Sequence, residues 1–193
     1  MARIYPSARN KILDAAERVI LRDGLNGVSV DAVLRKAGIS KGGFFHHFAS
    51  KGALLAAVTE RLAAAVGGQI ALATKDDPRP HGRSLRAQIG AAFDMPAAER
   101  KRLRTLVLAL ISAAMESPPV AASARAANEE AIAQALADGV DAGTALVIQF
   151  ALDGFFLAES LGTTKLGAAR KAAFRSALLA LVEPKREGRR HDP

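Results

Sequence analysis

Between Ser29 and Leu55 the chain reads Ser-Val-Asp-Ala-Val-Leu-Arg-Lys-Ala-Gly-Ile-Ser-Lys-Gly-Gly-Phe-Phe-His-His-Phe-Ala-Ser-Lys-Gly-Ala-Leu-Leu. Ser29, Ser40 and Ser50 each precede a helix-compatible run, where a serine Oγ can accept a free backbone N–H. Gly38 supplies the backbone freedom for a sharp turn after the first run, and Ile39 can anchor that turn in a core. The pattern predicts a short helix, a glycine turn, a second short basic helix over Lys41 to His47, and the capped start of a long helix. That layout is a helix-turn-helix, a unit that lays its second helix in the major groove of DNA.

The rest of the composition fits an all-α protein. Alanine is the commonest residue and β-branched runs are scarce. A formal net charge of +8 favours a polyanionic partner, nucleic acid before membrane. There is no cysteine, which excludes disulfides and thiolate metal sites. Met1 to Ser7 has no apolar run of the secretory kind, so a cytoplasmic location is expected. The most apolar stretches, Leu106 to Met115 and Ala142 to Leu152, read as too short for a membrane span.

Upstream of the motif, Ser7 caps a helix with inward positions Ile12, Ala15, Ala16, Val19 and Ile20, and Gly24 ends it as a left-handed residue. Thr74 to Gly82 is turn-rich and polar. Beyond it, helices are expected over about 83–93, 97–116, 120–137, 141–161 and 165–182, punctuated by Met95-Pro96, Ser117-Pro118-Pro119, Asp138-Gly139 and Gly162. The expected fold is all-α with about nine helices. An N-terminal helix-turn-helix domain (1–50) precedes a helical effector-binding and dimerisation domain (51–183) and a charged flexible tail (184–193).

Within the motif, Phe44 and Phe48 share a face and should lock the second helix to the core, leaving Phe45, His46 and His47 outside or at the rim. Gly42 and Gly43 each cost about 1 kcal/mol relative to alanine in a helix, a cost that a bare backbone approaching DNA would justify. Lys51 stands in the first turn of a helix, against the dipole, which makes it a better phosphate contact than helix support. Arg35 and Lys36 read equally as phosphate contacts and as solvated residues. The candidate DNA-binding set is Ser29, Arg35, Ser40, Lys41, Gly42, Gly43, His46, His47 and Lys51. A metal reading of His46 and His47 fails, because adjacent helical residues diverge by about 100°.

The stretch resembles the tetracycline-repressor (TetR/AcrR-like) family of bacterial transcription regulators. Ser29, Ala37-Gly38, Ser40, Gly42, His47-Phe48, Ser50-Lys51 and Leu54 fall on that family's pattern without a gap, and the similarity covers about residues 7 to 60. The phrase Ala151-Leu-Asp-Gly-Phe-Phe-Leu-Ala158 is similar to the eighth helix of many members. Two residues depart from the pattern. Phe45 stands where a tyrosine hydroxyl usually contacts phosphate, and Gly43 where a threonine or alanine often touches a base. The resemblance implies a homodimer on a palindromic operator in double-stranded DNA, released when a small molecule binds the second domain.

For that ligand, expected to be largely apolar, Phe93, Met95, Leu110, Met115, Gln149, Phe150 and Asp153 are the candidate pocket residues, although each taken singly reads more readily as ordinary core packing. Gln149 and Asp153 are the informative pair, polar and four apart in an apolar helix. For the dimer face the candidates are Gly154, Phe155, Ala158, Ala173, Ser176 and Ala177, small residues and one aromatic that permit close packing. No cofactor or metal is implied. The alternatives are a dimeric DNA-binding protein that senses no small molecule, and an adaptor using its basic face on an acidic protein. An all-helical enzyme lacks support: there is no phosphate loop, nucleophile triad or metal-ligand spacing, and Glu116, Glu129, Glu130 and Glu159 read as surface charges.

Overall fold

A computed structural model describes residues 7–184 and contains only helices and turns among them. The elements are α1 (Ala8–Asp23), a 3₁₀ turn (Leu25–Gly27), α2 (Val30–Ala37), α3 (Lys41–His47), α4 (Lys51–Asp76), α5 (Arg83–Asp94), α6 (Ala97–Glu116), α7 (Pro118–Leu136), α8 (Ala142–Leu161) and α9 (Ala168–Val182). Among the described residues they form two compact units, 7–66 with 96–129 and 67–95 with 130–184, so that α4 and α7 each run from one unit into the other. Apart from Pro184, the charged tail expected over 184–193 lies outside the described residues.

In the first unit α1 packs against α2, α3, the 3₁₀ turn and α6. Its core takes Ile12, Ala15, Ala16, Val19 and Ile20 from α1, Val33 from α2, Phe44 and Phe48 from the α3 segment, and Leu54, Leu55 and Val58 from α4. One polar feature ties this unit across its helices. Glu17 of α1, 9% exposed, accepts from Arg61 Nε and Nη2 of α4 at 3.0 and 2.5 Å and from Arg102 Nη2 of α6 at 2.5 Å. Arg61 also donates to Asp14 at 2.6 Å. A carboxylate this buried is tolerable only because two guanidinium groups repay its lost hydration.

The second unit is built on α5, α8 and α9, which pack pairwise. Leu85, Ile89, Ala135, Val140, Ala145, Ile148, Leu152, Leu178 and Val182 form its core. Phe93 stacks on Phe155 with centroids 5.2 Å apart, and Phe174 meets both edge-on at 5.7 and 5.4 Å. At the N-terminus of α5, Gly82 stands at the cap position with no side chain to offer. Asp138 caps from across the unit: its carboxylate accepts from Ser84 N at 3.1 Å and Leu85 N at 2.9 Å, while its carbonyl accepts from Gly82 N at 2.8 Å. Arg86 secures the preceding loop by donating to Asp77, His81 O and Arg79 O. That guanidinium, with the Arg79 N–H second, holds the Asp77 carboxyl well below its ordinary range.

The membrane expectation needs correction for one stretch. The helix that begins at Ala142 continues to Leu161, and α4 and α8 are both long and apolar enough by length and composition to cross a bilayer. Each of these helices nevertheless buries a face in protein, Leu54 to Leu62 in α4 and Ala145 to Phe155 in α8.

Asp138 can be tested directly. Replacing Asp138 with Ala leaves two buried N–H groups without their charged acceptor and should destabilise the protein by about 2–3 kcal/mol. Urea denaturation followed by circular dichroism measures this, and a change below about 0.5 kcal/mol would show the cap to be dispensable.

Candidate nucleic-acid interface

Three serine caps set the local geometry of the helix-turn-helix. Ser29 Oγ accepts from Ala32 N at 3.1 Å, Ser40 Oγ from Gly43 N at 3.2 Å and Ser50 Oγ from Ala53 N at 3.1 Å. Each bond occupies a lone pair and leaves the hydroxyl hydrogen available to an outside acceptor. Between the two short helices Gly38, expected to supply the freedom for a sharp turn, adopts the left-handed conformation φ 65°, ψ 38°, and its N–H closes α2 on Leu34 O. Gly24 is also at positive φ, but with ψ −173° it lies outside the left-handed helical region expected of it, in a conformation open essentially only to glycine, and the 3₁₀ turn follows.

Phe44 is wholly buried and Phe48 nearly so, their centroids 5.8 Å apart, and both join the core of the first unit, where α3 packs against α1 and α2. Phe45 is 47% exposed and stands edge-on to Phe44. Of the candidate contacts, Ser29, Arg35, Ser40, Lys41, Gly42, His46 and Lys51 are exposed, whereas Gly43 and His47 are half-buried. The two imidazoles meet edge-on at 5.0 Å.

The two glycines of α3 differ in kind. A Cβ on Gly42 would meet nothing within 4 Å, whereas one on Gly43 would lie 2.9 Å from Ile39 Cγ2 and 3.4 Å from Ser40 Oγ. The protein's own turn therefore accounts for Gly43, and the bareness of Gly42 has no internal cause. This corrects the expectation that both glycines are bare for DNA.

The sequence reading did not select Arg9. Its guanidinium lies over the Phe48 ring, 5.4 Å from the centroid, which holds an exposed cation beside the end of α3. A signal was present. Arg9 is in the first turn of α1, against the dipole, as Lys51 is in α4.

The remaining candidates are distributed otherwise than expected. Leu110 and Met115 belong to the first unit, and Phe93, Met95, Gln149, Phe150 and Asp153 to the second. Leu110 is core, but Met115 is 85% and Phe150 59% exposed. Phe93, a pocket candidate, and Phe155, a dimer-face candidate, instead pack on each other inside the second unit. Gly154, Ala173, Ser176 and Ala177 are exposed and Ala158 is half-buried.

Comparison with known proteins agrees with this architecture. Residues 12–58 match the profile described as "Bacterial regulatory proteins, tetR family", and residues 82–183 match "Tetracyclin repressor-like, C-terminal domain". The chain is 44% identical over 52 residues to the HTH-type transcriptional regulator YvdT of Bacillus subtilis, covering 27% of each chain. It is 31% identical over 119 residues to the HTH-type transcriptional regulator BetI of Ectopseudomonas mendocina, covering 60% of this chain and 59% of that one. The alignments thus span about a quarter and three fifths of these curated relatives. Among solved structures, multidrug binding protein EbrR complexed with ethidium superposes with a TM-score of 0.74 at 22% identity, covering 92% of this chain and all of that one, a likeness of fold.

The glycine contrast yields an expected outcome. Gly42→Ala should leave the protein as stable or up to about 1 kcal/mol more so, yet weaken duplex binding about tenfold. Gly43→Ala should destabilise it by about 1–2 kcal/mol. Thermal melts paired with fluorescence anisotropy separate the two, and equal effects of both substitutions would remove Gly42 from the interface.

Proposed function

The chain belongs to the tetR family of bacterial regulatory proteins, a family of regulators and not of enzymes, and on that footing we propose that it is a homodimeric repressor released from a palindromic operator by a small molecule. The observation that carries DNA binding is the α3 surface: a capped basic helix fixed by Phe44, with Ser40, Lys41 and Gly42 exposed at its leading end. In this reading residues 1–50 bind DNA in the cytoplasm and 51–183 bind the effector and the second subunit.

Ser29, Arg35, Ser40, Lys41, Lys51 and the two histidines contact the duplex, with Arg9 added by its seat on Phe48. Phosphate contacts set the register and groove contacts the sequence. The missing hydroxyl at Phe45 and the buried side of Gly43 leave direct readout to few groups, so shape and backbone contacts carry much of the recognition. Two half-sites would lie about 34–36 Å apart, or a multiple of that. With about five phosphates neutralised per subunit, the dimer's log K against log salt slope is about −9.

A bare apolar stripe on α8 supports the dimer. Val147, Phe150, Leu157 and Leu161, 58, 59, 39 and 59% exposed, recur with Gly154 at three and four residues along the outer face. Large exposed apolar rows of this kind mark protein interfaces. The small exposed residues of α9, Ala173, Ser176 and Ala177, allow a close four-helix contact about a two-fold axis. Release by a ligand requires differential binding, about 5.5 kcal/mol over the dimer to move a 99:1 balance to 1:99. The TetR-like C-terminal match supports a ligand site, as does the ethidium complex of the structural neighbour.

Two measurements test this reading. Lys51→Ala and Arg9→Ala should each weaken binding to every duplex and flatten the salt slope by about one unit per subunit; an unchanged slope removes that residue from the contacts. Phe150→Glu should turn a dimer into a monomer in sedimentation equilibrium and abolish operator binding at nanomolar protein. A variant that stays dimeric would rule out the α8 stripe as the interface.

A further inference from the structure

Resting on the effector-binding reading, we propose that Gln149 and Asp153 of α8 form an acceptor pair that selects a cationic ligand bearing N–H donors. Gln149 is 6% exposed, with Ala145, Ile148 and Leu152 of the same helix buried beside it. Its Nε2 lies 3.3 Å from each carboxylate oxygen of Asp153, four residues on. Its Oε1 is buried and has no hydrogen-bond partner. Turning the amide over does not cure this, because it would set an oxygen against a carboxylate; Asp153 itself fixes which atom is orphaned.

Counting donors and acceptors identifies what is missing. An amide oxygen offers two lone pairs and a carboxylate about four sites, while Nε2 brings only two hydrogens. The pair thus carries an excess of acceptors, with Gln149 Oε1 shut from water and the Asp153 side chain exposed at the helix surface. Asp153 also lacks a counter-charge: among the described residues no cationic side chain pairs with it, and burial pushes its carboxyl up from the ordinary range against the opposing Gln149 bond. An apolar ligand leaves both deficits in place, and an anion worsens the second. A cation with an N–H group answers both, donating to Gln149 Oε1 and balancing Asp153.

The test is fluorescence titration of the full-length protein, free of DNA, with two cationic N–H-bearing dyes, ethidium and rhodamine 6G, and the anionic apolar probe anilinonaphthalene sulfonate. At least one cation should bind tenfold or more tightly than the anion. Asp153→Asn, which keeps shape, should lower the cation's affinity at least tenfold and leave the anion's unchanged or improved. Gln149→Leu, which removes the orphaned oxygen, should lower it at least threefold and guards against misfolding of the first variant, with circular dichroism melts as control. If none of the three probes binds, both the effector reading and the acceptor pair fall. If only the anion binds, or Asp153→Asn and Gln149→Leu fold and retain the cation, a ligand site stands and the acceptor pair is overturned. Loss of the dimer in sedimentation by either variant, with cation affinity intact, overturns it in favour of a subunit contact.

Discussion

The ring of Phe44 is the point on which the DNA-facing surface depends. Helix α3 has seven residues, two of them glycine, and so short a helix has no independent stability in water. Tertiary contact must therefore hold it. Phe44 reaches the core of α1, α2 and α4, Phe48 follows one turn later, and Ser40 closes the first turn. With the inward side fixed, the outward side is free to be poor in side chains. Gly42 needs no Cβ for the fold, so its backbone lies open at the leading end of the helix.

The second unit works by a different balance. Its aromatic trio and aliphatic core account for the apolar residues that face inward, and Asp138 and Arg86 satisfy the loop and helix end that would otherwise be left with free polar groups. Two features of α8 are not satisfied from within. One is the outward apolar stripe, which asks for area; the other is the Gln149–Asp153 pair, which asks for donors. Gln149 is buried while Asp153, three residues after Phe150, is exposed at the edge of that stripe.

Much of the architecture was legible because caps and glycine turns are local signals. Ser7, Ser29, Ser40 and Ser50 each cap the helix that they were expected to cap, and Gly38 makes the sharp turn expected there. The ends that shifted have local reasons too. Helix α7 begins at Pro118, because proline is well suited to a first helical position. Helix α4 runs through Lys75 and Asp76 into what read as a polar turn, since such residues are tolerated in an exposed last turn. What was not legible depends on distance along the chain. Arg9 meets Phe48, Asp138 meets Ser84, and Glu17 meets Arg61 and Arg102; no pattern of neighbours encodes these pairings. Phe155 was placed on a surface by its small neighbours, but the ring of Phe93 claims it.

The carboxylate of Glu17, shut between two guanidinium groups, sets apart two kinds of charge in the first unit. Exposed cations such as Lys41 and Lys51 feel dissolved ions fully, whereas a partly buried, hydrogen-bonded group is shielded far less. Adding electrolyte thus loosens the grip on a polyanion while leaving the three-helix tie intact. The hand lets go without the wrist coming apart.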